Sequence, residues 1–162
     1  MSFSFERFSA TRRLVLQGAG AVALGGLGNL IPLPARAAAS DKYPENAFQQ
    51  KGDKDAIQAL FGKTVEPSDK VKLDAPEIAE NGAVVPISVT TTLENVTSIA
   101  FLVSGNPSAL AASYAIAEGT LPNVANRLKM QQTSNVTAIV EAGGKLYSAT
   151  KEVKVTVGGC GG

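Results

Sequence analysis

From position 84 the chain reads Val-Val-Pro-Ile-Ser-Val-Thr-Thr-Thr, and in it Val85, Ile87 and Val89 alternate with Pro86, Ser88 and Thr90. Side chains two residues apart share one face of an extended chain, so this is a strand with one buried face and one wet face. Residues 71–79, 98–103, 111–117, 124–131, 136–142 and 145–157 have similar texture, rich in β-branched residues and alanine. With residues 84–92 they make seven candidate strands. Glu80-Asn81-Gly82, Ser104-Gly105-Asn106-Pro107, Glu118-Gly119 and Gly143-Gly144 separate them, and the last pair fits a two-residue hairpin joining the final two strands. Pro86 has no N–H to give a ladder, so its strand is expected at an edge or bulged there. Residues 46–61, which end against Gly62, predict one short amphipathic helix with Asp53 or Asp55 as its cap. The pattern predicts a mainly β protein: an immunoglobulin-like antiparallel β-sandwich with a short N-terminal helix and a flexible C-terminal arm. A closed barrel is the alternative.

Composition narrows the chemistry. The chain has 162 residues with 16 glycines, 8 prolines, one cysteine and no histidine. Without histidine there is no Ser-His-Asp or Cys-His pair, and one cysteine with scattered carboxylates makes no zinc or haem site. No metal and no cofactor are expected. Asp53, Asp55, Glu66, Asp69 and Asp74 are too scattered for catalysis and are expected in solvent. Four of the 15 basic residues and one of the 14 acidic ones lie in residues 1–37, so the rest of the chain is slightly acidic and no nucleic-acid partner is expected.

Residues 1–37 have the character of an address. Arg12 and Arg13 follow Thr11, no charge occurs again until Arg36, and Ala35-Arg36-Ala37 supplies the small-x-small pattern of a signal-peptidase site. The segment resembles a twin-arginine export signal, with Val15 and Gln17 in place of that pattern's Phe and Lys. Glycines 18, 20, 25, 26 and 28 and prolines 32 and 34 argue against a permanent membrane anchor. Cleavage after Ala37 would leave residues 38–157 as the folded domain, exported to the periplasm.

The chain ends Val157-Gly158-Gly159-Cys160-Gly161-Gly162. A cysteine kept for packing sits among apolar side chains, and glycine offers none, so Cys160 reads as displayed at the tip of an arm formed by Gly158, Gly159, Gly161 and Gly162. Three residues from Val157 to Cys160 permit a reach of roughly 10 Å. In an oxidising compartment a lone thiol has no internal partner and must react with something else. Lys154 is the nearest cation in sequence and the α-carboxylate of Gly162 is nearby, so the arm has little means of activating its own thiol. Partner enzymes are therefore expected to receive the tip, stabilise the thiolate and transfer a group to its sulfur. A thiol–disulfide enzyme would need a resolving cysteine or a base, and neither is present.

A twin-arginine leader, a small strand-rich domain and a terminal Gly-Gly-Cys-Gly-Gly together resemble the SoxY family, carrier subunits of the bacterial thiosulfate-oxidising system. The resemblance implies a periplasmic carrier, not itself an enzyme, that holds sulfur intermediates covalently on Cys160. It also implies a heterodimer with a SoxZ-like β subunit. Three enzymes would act on the cargo: a c-type cytochrome conjugating enzyme, a sulfate thiohydrolase and a sulfane dehydrogenase. The reading from another class is an exported structural or interaction module whose exposed thiol forms an intermolecular disulfide.

Overall fold

In the computed structural model, residues 43–157 are described. Two helices, α1 (Glu45–Phe48) and α2 (Asp53–Phe61), precede nine strands: β1 (Val65–Pro67), β2 (Val71–Asp74), β3 (Ile78–Asn81), β4 (Val85–Thr91), β5 (Val96–Val103), β6 (Leu110–Ala115), β7 (Asn123–Leu128), β8 (Ser134–Ala142) and β9 (Lys145–Val157). One sheet has the order β1-β9-β8-β5-β6, with β3 also paired to β9, and the other has β2-β4-β7. The fold is the expected immunoglobulin-like sandwich. Its two sheets share no ladder, so the barrel alternative falls.

Side-chain alternation divides the core into two layers. Ile99, Phe101 and Val103 of β5 and Val136, Ala138 and Val140 of β8 face the second sheet, where they meet Val85, Ile87 and Val89 of β4. Ala100, Leu102, Ile139 and Leu146 point the other way, against Ala47 and Ala56 of the two helices. Strand β5 is buried on both faces, which is why its last five residues read as an unbroken apolar run. The helical layer is therefore part of the fold.

Several expectations need correction. The helix expected over residues 46–61 is two helices broken at Gly52, which is the N-cap of α2 in an extended conformation without a side-chain capping bond. Neither Asp53 nor Asp55 caps the helix. Asp53 instead accepts a hydrogen bond from the Ser104 hydroxyl at 2.6 Å, tying α2 to the β5–β6 turn. Gly62 does end the helix, with φ of 63° in the left-handed region. The strands number nine among the described residues. Val65–Pro67 was not anticipated, and the run at 71–79 is two strands in different sheets, β2 antiparallel to β4 and β3 parallel to β9. Ala75-Pro76-Glu77 carries the chain across between them.

Strand β4 is the middle strand of its sheet, not an edge. Pro86 is tolerated because β2 stops short: its register with β4 ends at Asp74↔Ser88, so at Pro86 a strand is paired on the β7 side alone. Gly143 and Gly144 form the expected two-residue hairpin, with Ala142 opposite Lys145 and φ values of 56° and 79°. Two successive positive φ angles define the turn type whose twist matches the flanking strands.

Candidate functional site

Strand β9, which precedes the chain's cysteine in sequence, is thirteen residues long and pairs with three neighbours, β1, β3 and β8. Strand β8 pairs with it from Lys145 as far as Val153, opposite Ser134, and then ends. From there the other side of β9 takes over. Strand β3 runs parallel to it, with Ile78 beside Lys154, Ala79 beside Val155 and Asn81 beside Val157. The Lys154 amide donates to the Glu77 carbonyl at 2.9 Å, and the Thr156 hydroxyl donates to the Glu80 carbonyl at 2.8 Å.

Two further bonds close the clamp. The Val155 amide, beyond the reach of β8, donates to the Thr133 hydroxyl at 2.9 Å. The Gly82 amide donates to the Val157 carbonyl at 2.8 Å, and the Gly82 carbonyl accepts from the Met130 amide at 2.7 Å. Gly82 and Met130 are both buried, so three chain segments are joined backbone to backbone where β9 ends. Buried backbone groups left without partners cost free energy, and here the termination of β8 is made good by a hydroxyl and a glycine amide.

Three apolar side chains are open to solvent at this end of the sandwich, among the exposed charges of Glu77, Glu80 and Lys154. Val157 is 60% exposed, and Val84 and Ile78 are similarly open. The expectation that Val153, Val155 and Val157 form one anchored face holds in part. Val153 is buried and Val155 half-buried, whereas Val157 is held by its backbone alone. Lys154 and Thr156 lie on the exposed side.

The expected site residues Cys160, Gly158, Gly159, Gly161 and Gly162, and the export residues Arg12 and Arg13, lie outside the described residues. Among the described residues no three His, Cys, Asp or Glu side chains form a group able to hold a metal. Of the five scattered acids, Asp55, Glu66, Asp69 and Asp74 are exposed as expected, and Asp53 is partly buried against Ser104. An open cleft of about 670 Å³ lies on the outer face of the β2-β4-β7 sheet, between Pro76, Pro86 and Arg127. Asp74 and Arg127 are the charged groups lining it, and it contains no nucleophile paired with a base. No helix among the described residues is long and apolar enough to cross a membrane.

The sequence reading missed the supports of the root: β3, Gly82 and Thr133. Asn81-Gly82 was legible as a turn, but its contact with a strand 75 residues later follows from topology alone. Thr133 carries no local signal, since its role depends on where β8 stops.

A small immunoglobulin-like sandwich, with a helical layer on one sheet and its last strand clamped as far as Val157, defines the class of fold. Comparison with protein families places a particular name on it. Residues 57–160 match the family described as "Sulfur oxidation protein SoxY", and the chain belongs to that family. Among solved structures, the sulfur carrier protein SoxY from Chlorobium limicola f thiosulfatophilum is 43% identical, with a TM-score of 0.59 over 64% of this chain and 96% of that one. A PKD domain of an M14-like peptidase from a Thermoplasmatales archaeon is 17% identical over 56% of this chain and 96% of that one, with a TM-score of 0.36. The complex of zinc α2-glycoprotein with prolactin-inducible protein from human seminal plasma matches at 11% identity and a TM-score of 0.35, over 54% of this chain and 94% of that one. The last two scores are too low to bear on function. Comparison with curated proteins gives no match.

Proposed function

We propose that this chain is a periplasmic carrier of sulfur intermediates, exported by the twin-arginine route and holding its cargo covalently on Cys160. The observation that carries the reading is the family match, which extends through the strand-rich body to residue 160 and so includes the chain's single thiol. The clamp on β9 supports it: a rigid hold up to Val157 gives the last five residues a defined point of departure.

The chemistry is that of soft sulfur on a thiolate. Joining thiosulfate to Cys160 forms one S–S bond and releases one proton and two electrons, which a c-type cytochrome conjugating enzyme would accept. Water then cleaves sulfate from the outer sulfur at a thiohydrolase, leaving a persulfide on the carrier, and a sulfane dehydrogenase oxidises that sulfur. The carrier catalyses none of these steps. Tethering keeps each intermediate at high effective concentration for the next enzyme. A SoxZ-like β subunit completes the assembly as a heterodimer.

Mass measurement of the C-terminal peptide, from cells growing on thiosulfate, tests the reading. Adducts of sulfur or thiosulfonate mass on Cys160 are expected, removed by reductant and absent from Cys160→Ser. A thiol found unmodified, or present only as a homodimeric disulfide, overturns the carrier reading and favours the structural module.

A further inference from the structure

Exposed apolar side chains scattered singly are ordinary on a protein surface, whereas a group of them needs a reason. Among the described residues the exposed large apolar side chains are Tyr43, Ile78, Val84, Leu121 and Val157. Three of these, Ile78, Val84 and Val157, lie around the end of β9. Ile78 is in register with Lys154, which places it about 10 Å back from Val157 along the sheet. Val84 follows shortly after Gly82, whose amide holds the Val157 carbonyl, at a distance of no more than about 7 Å of chain. It is uncovered because β2 ends at Asp74, opposite Ser88, and does not reach it.

The length of chain beyond Val157 says what covers them. Three residues lead from Val157 to Cys160, a reach of roughly 10 Å from the end of β9. An enzyme that takes this thiol into a recessed active site uses part of that reach inside itself. A recess of half the length leaves roughly 5 Å between its mouth and Val157, which is side-chain contact. Even a weak, transient interface, roughly 500 Å² per partner, is a disc about 13 Å in radius, and centred on Val157 it takes in Ile78 and Val84. The charges nearby form a rim. Glu77 and Glu80 border Ile78 beside Lys154, and Lys129, one residue beyond the Val85↔Leu128 pair, borders Val84. All four are exposed and none has an ion-pair partner among the described residues. An apolar centre within a polar rim is the anatomy of a protein interface.

Resting on the carrier reading above, we propose that Ile78, Val84 and Val157 form the docking surface for the enzymes that draw Cys160 into a recessed active site. Each such enzyme sets an apolar mouth against this end of the sandwich. Because the arm is short, all of them use the same surface. Conjugation, sulfate release and sulfane oxidation therefore occupy it one at a time, and a loaded carrier leaves one enzyme before the next can act.

Tetrathionate loads a thiolate directly, forming an S–S bond to a thiosulfonate group and releasing thiosulfate. With the full chain loaded in this way, sulfate release by the sulfate thiohydrolase of the same cells is followed against carrier concentration. Val84→Asp and Ile78→Asp should each lower kcat/KM about tenfold, through KM. Leu121→Asp should leave it unchanged, since Leu121 precedes Asn123, which pairs with Thr90 at the opposite end of β4. Loading by tetrathionate, a small molecule that needs no docking, should proceed at the same rate in all of these proteins. In a second measurement Cys160→Ser, which has no thiol to load, should compete with the loaded chain, and adding Val84→Asp to it should weaken that competition about tenfold. Thermal melts establish that the variants are folded. Val84 lies outside the β3–β9 ladder, so its result stands even if Ile78→Asp unfolds. Equal kcat/KM throughout, a loss as large in Leu121→Asp, or competition indifferent to Val84→Asp would overturn docking at this surface and leave the carrier reading intact. A loaded wild-type chain from which the thiohydrolase releases no sulfate would overturn the carrier reading, and the docking surface with it.

Discussion

At the scale of single residues, the described part has one ion pair, Lys63 with Glu141 across 2.5 Å, and the Thr97 hydroxyl also donates to that carboxylate. The Lys63 hydrogen bond, set against partial burial, holds the Glu141 carboxyl below its ordinary value. A carboxyl depressed in the folded state adds stability above its unfolded pKa and loses it as pH falls through the folded pKa. Lys63→Met is therefore expected to cost about 0.5 kcal/mol near neutrality, a small effect because the pair is partly solvated. The difference between the two proteins should shrink as pH drops below about 4. Denaturant titrations at several pH values check this, and a difference that grows on acidification would contradict it.

At the scale of elements, β9 is the strand that leads to the proposed carrier site, and its last residues are held unlike the rest. Up to Val153 the strand lies in an antiparallel ladder with β8, whereas beyond it the strand is held by the parallel ladder with β3, with the Thr133 hydroxyl at Val155 and the Gly82 amide at Val157 in place of β8. Replacing Thr133 with valine keeps the shape and removes the acceptor. The expected cost is about 1 kcal/mol, with hydrogen exchange at the Val155 amide accelerated and the β5–β8 ladder unchanged. Exchange at Val155 indifferent to the substitution would show that the hydroxyl does not secure the strand. The legibility of elements followed their locality. The Gly143-Gly144 hairpin was readable because its two strands are adjacent in sequence and the turn demands positive φ. The division of residues 71–79 between two sheets was not, because alternation is the same whichever sheet receives the strand.

At the scale of the whole molecule, stability resides in the layer between the sheets, where Phe101 is fully buried and meets Tyr114 edge-on with ring centroids 6.3 Å apart. Phe101→Ala should cost about 3–5 kcal/mol through lost transfer and a cavity in the core. Loss of that size lowers the melting temperature by many degrees, and calorimetry measures it. Sulfur loading at Cys160, measured below the lowered melting point, should be unaffected if the body serves as support. The mainly β class and the sandwich were legible in the chain, because alternation and turn residues are local patterns that each carry their own physical reason. What the chain alone did not disclose was which edge each strand would meet. The parallel seating of β3 on β9, the hydroxyl of Thr133 in place of a β8 residue, and the exposed edge of β6 all arise where distant segments meet. Pairing of backbone groups is chemically the same at every position, so its partners are settled by how the whole core packs.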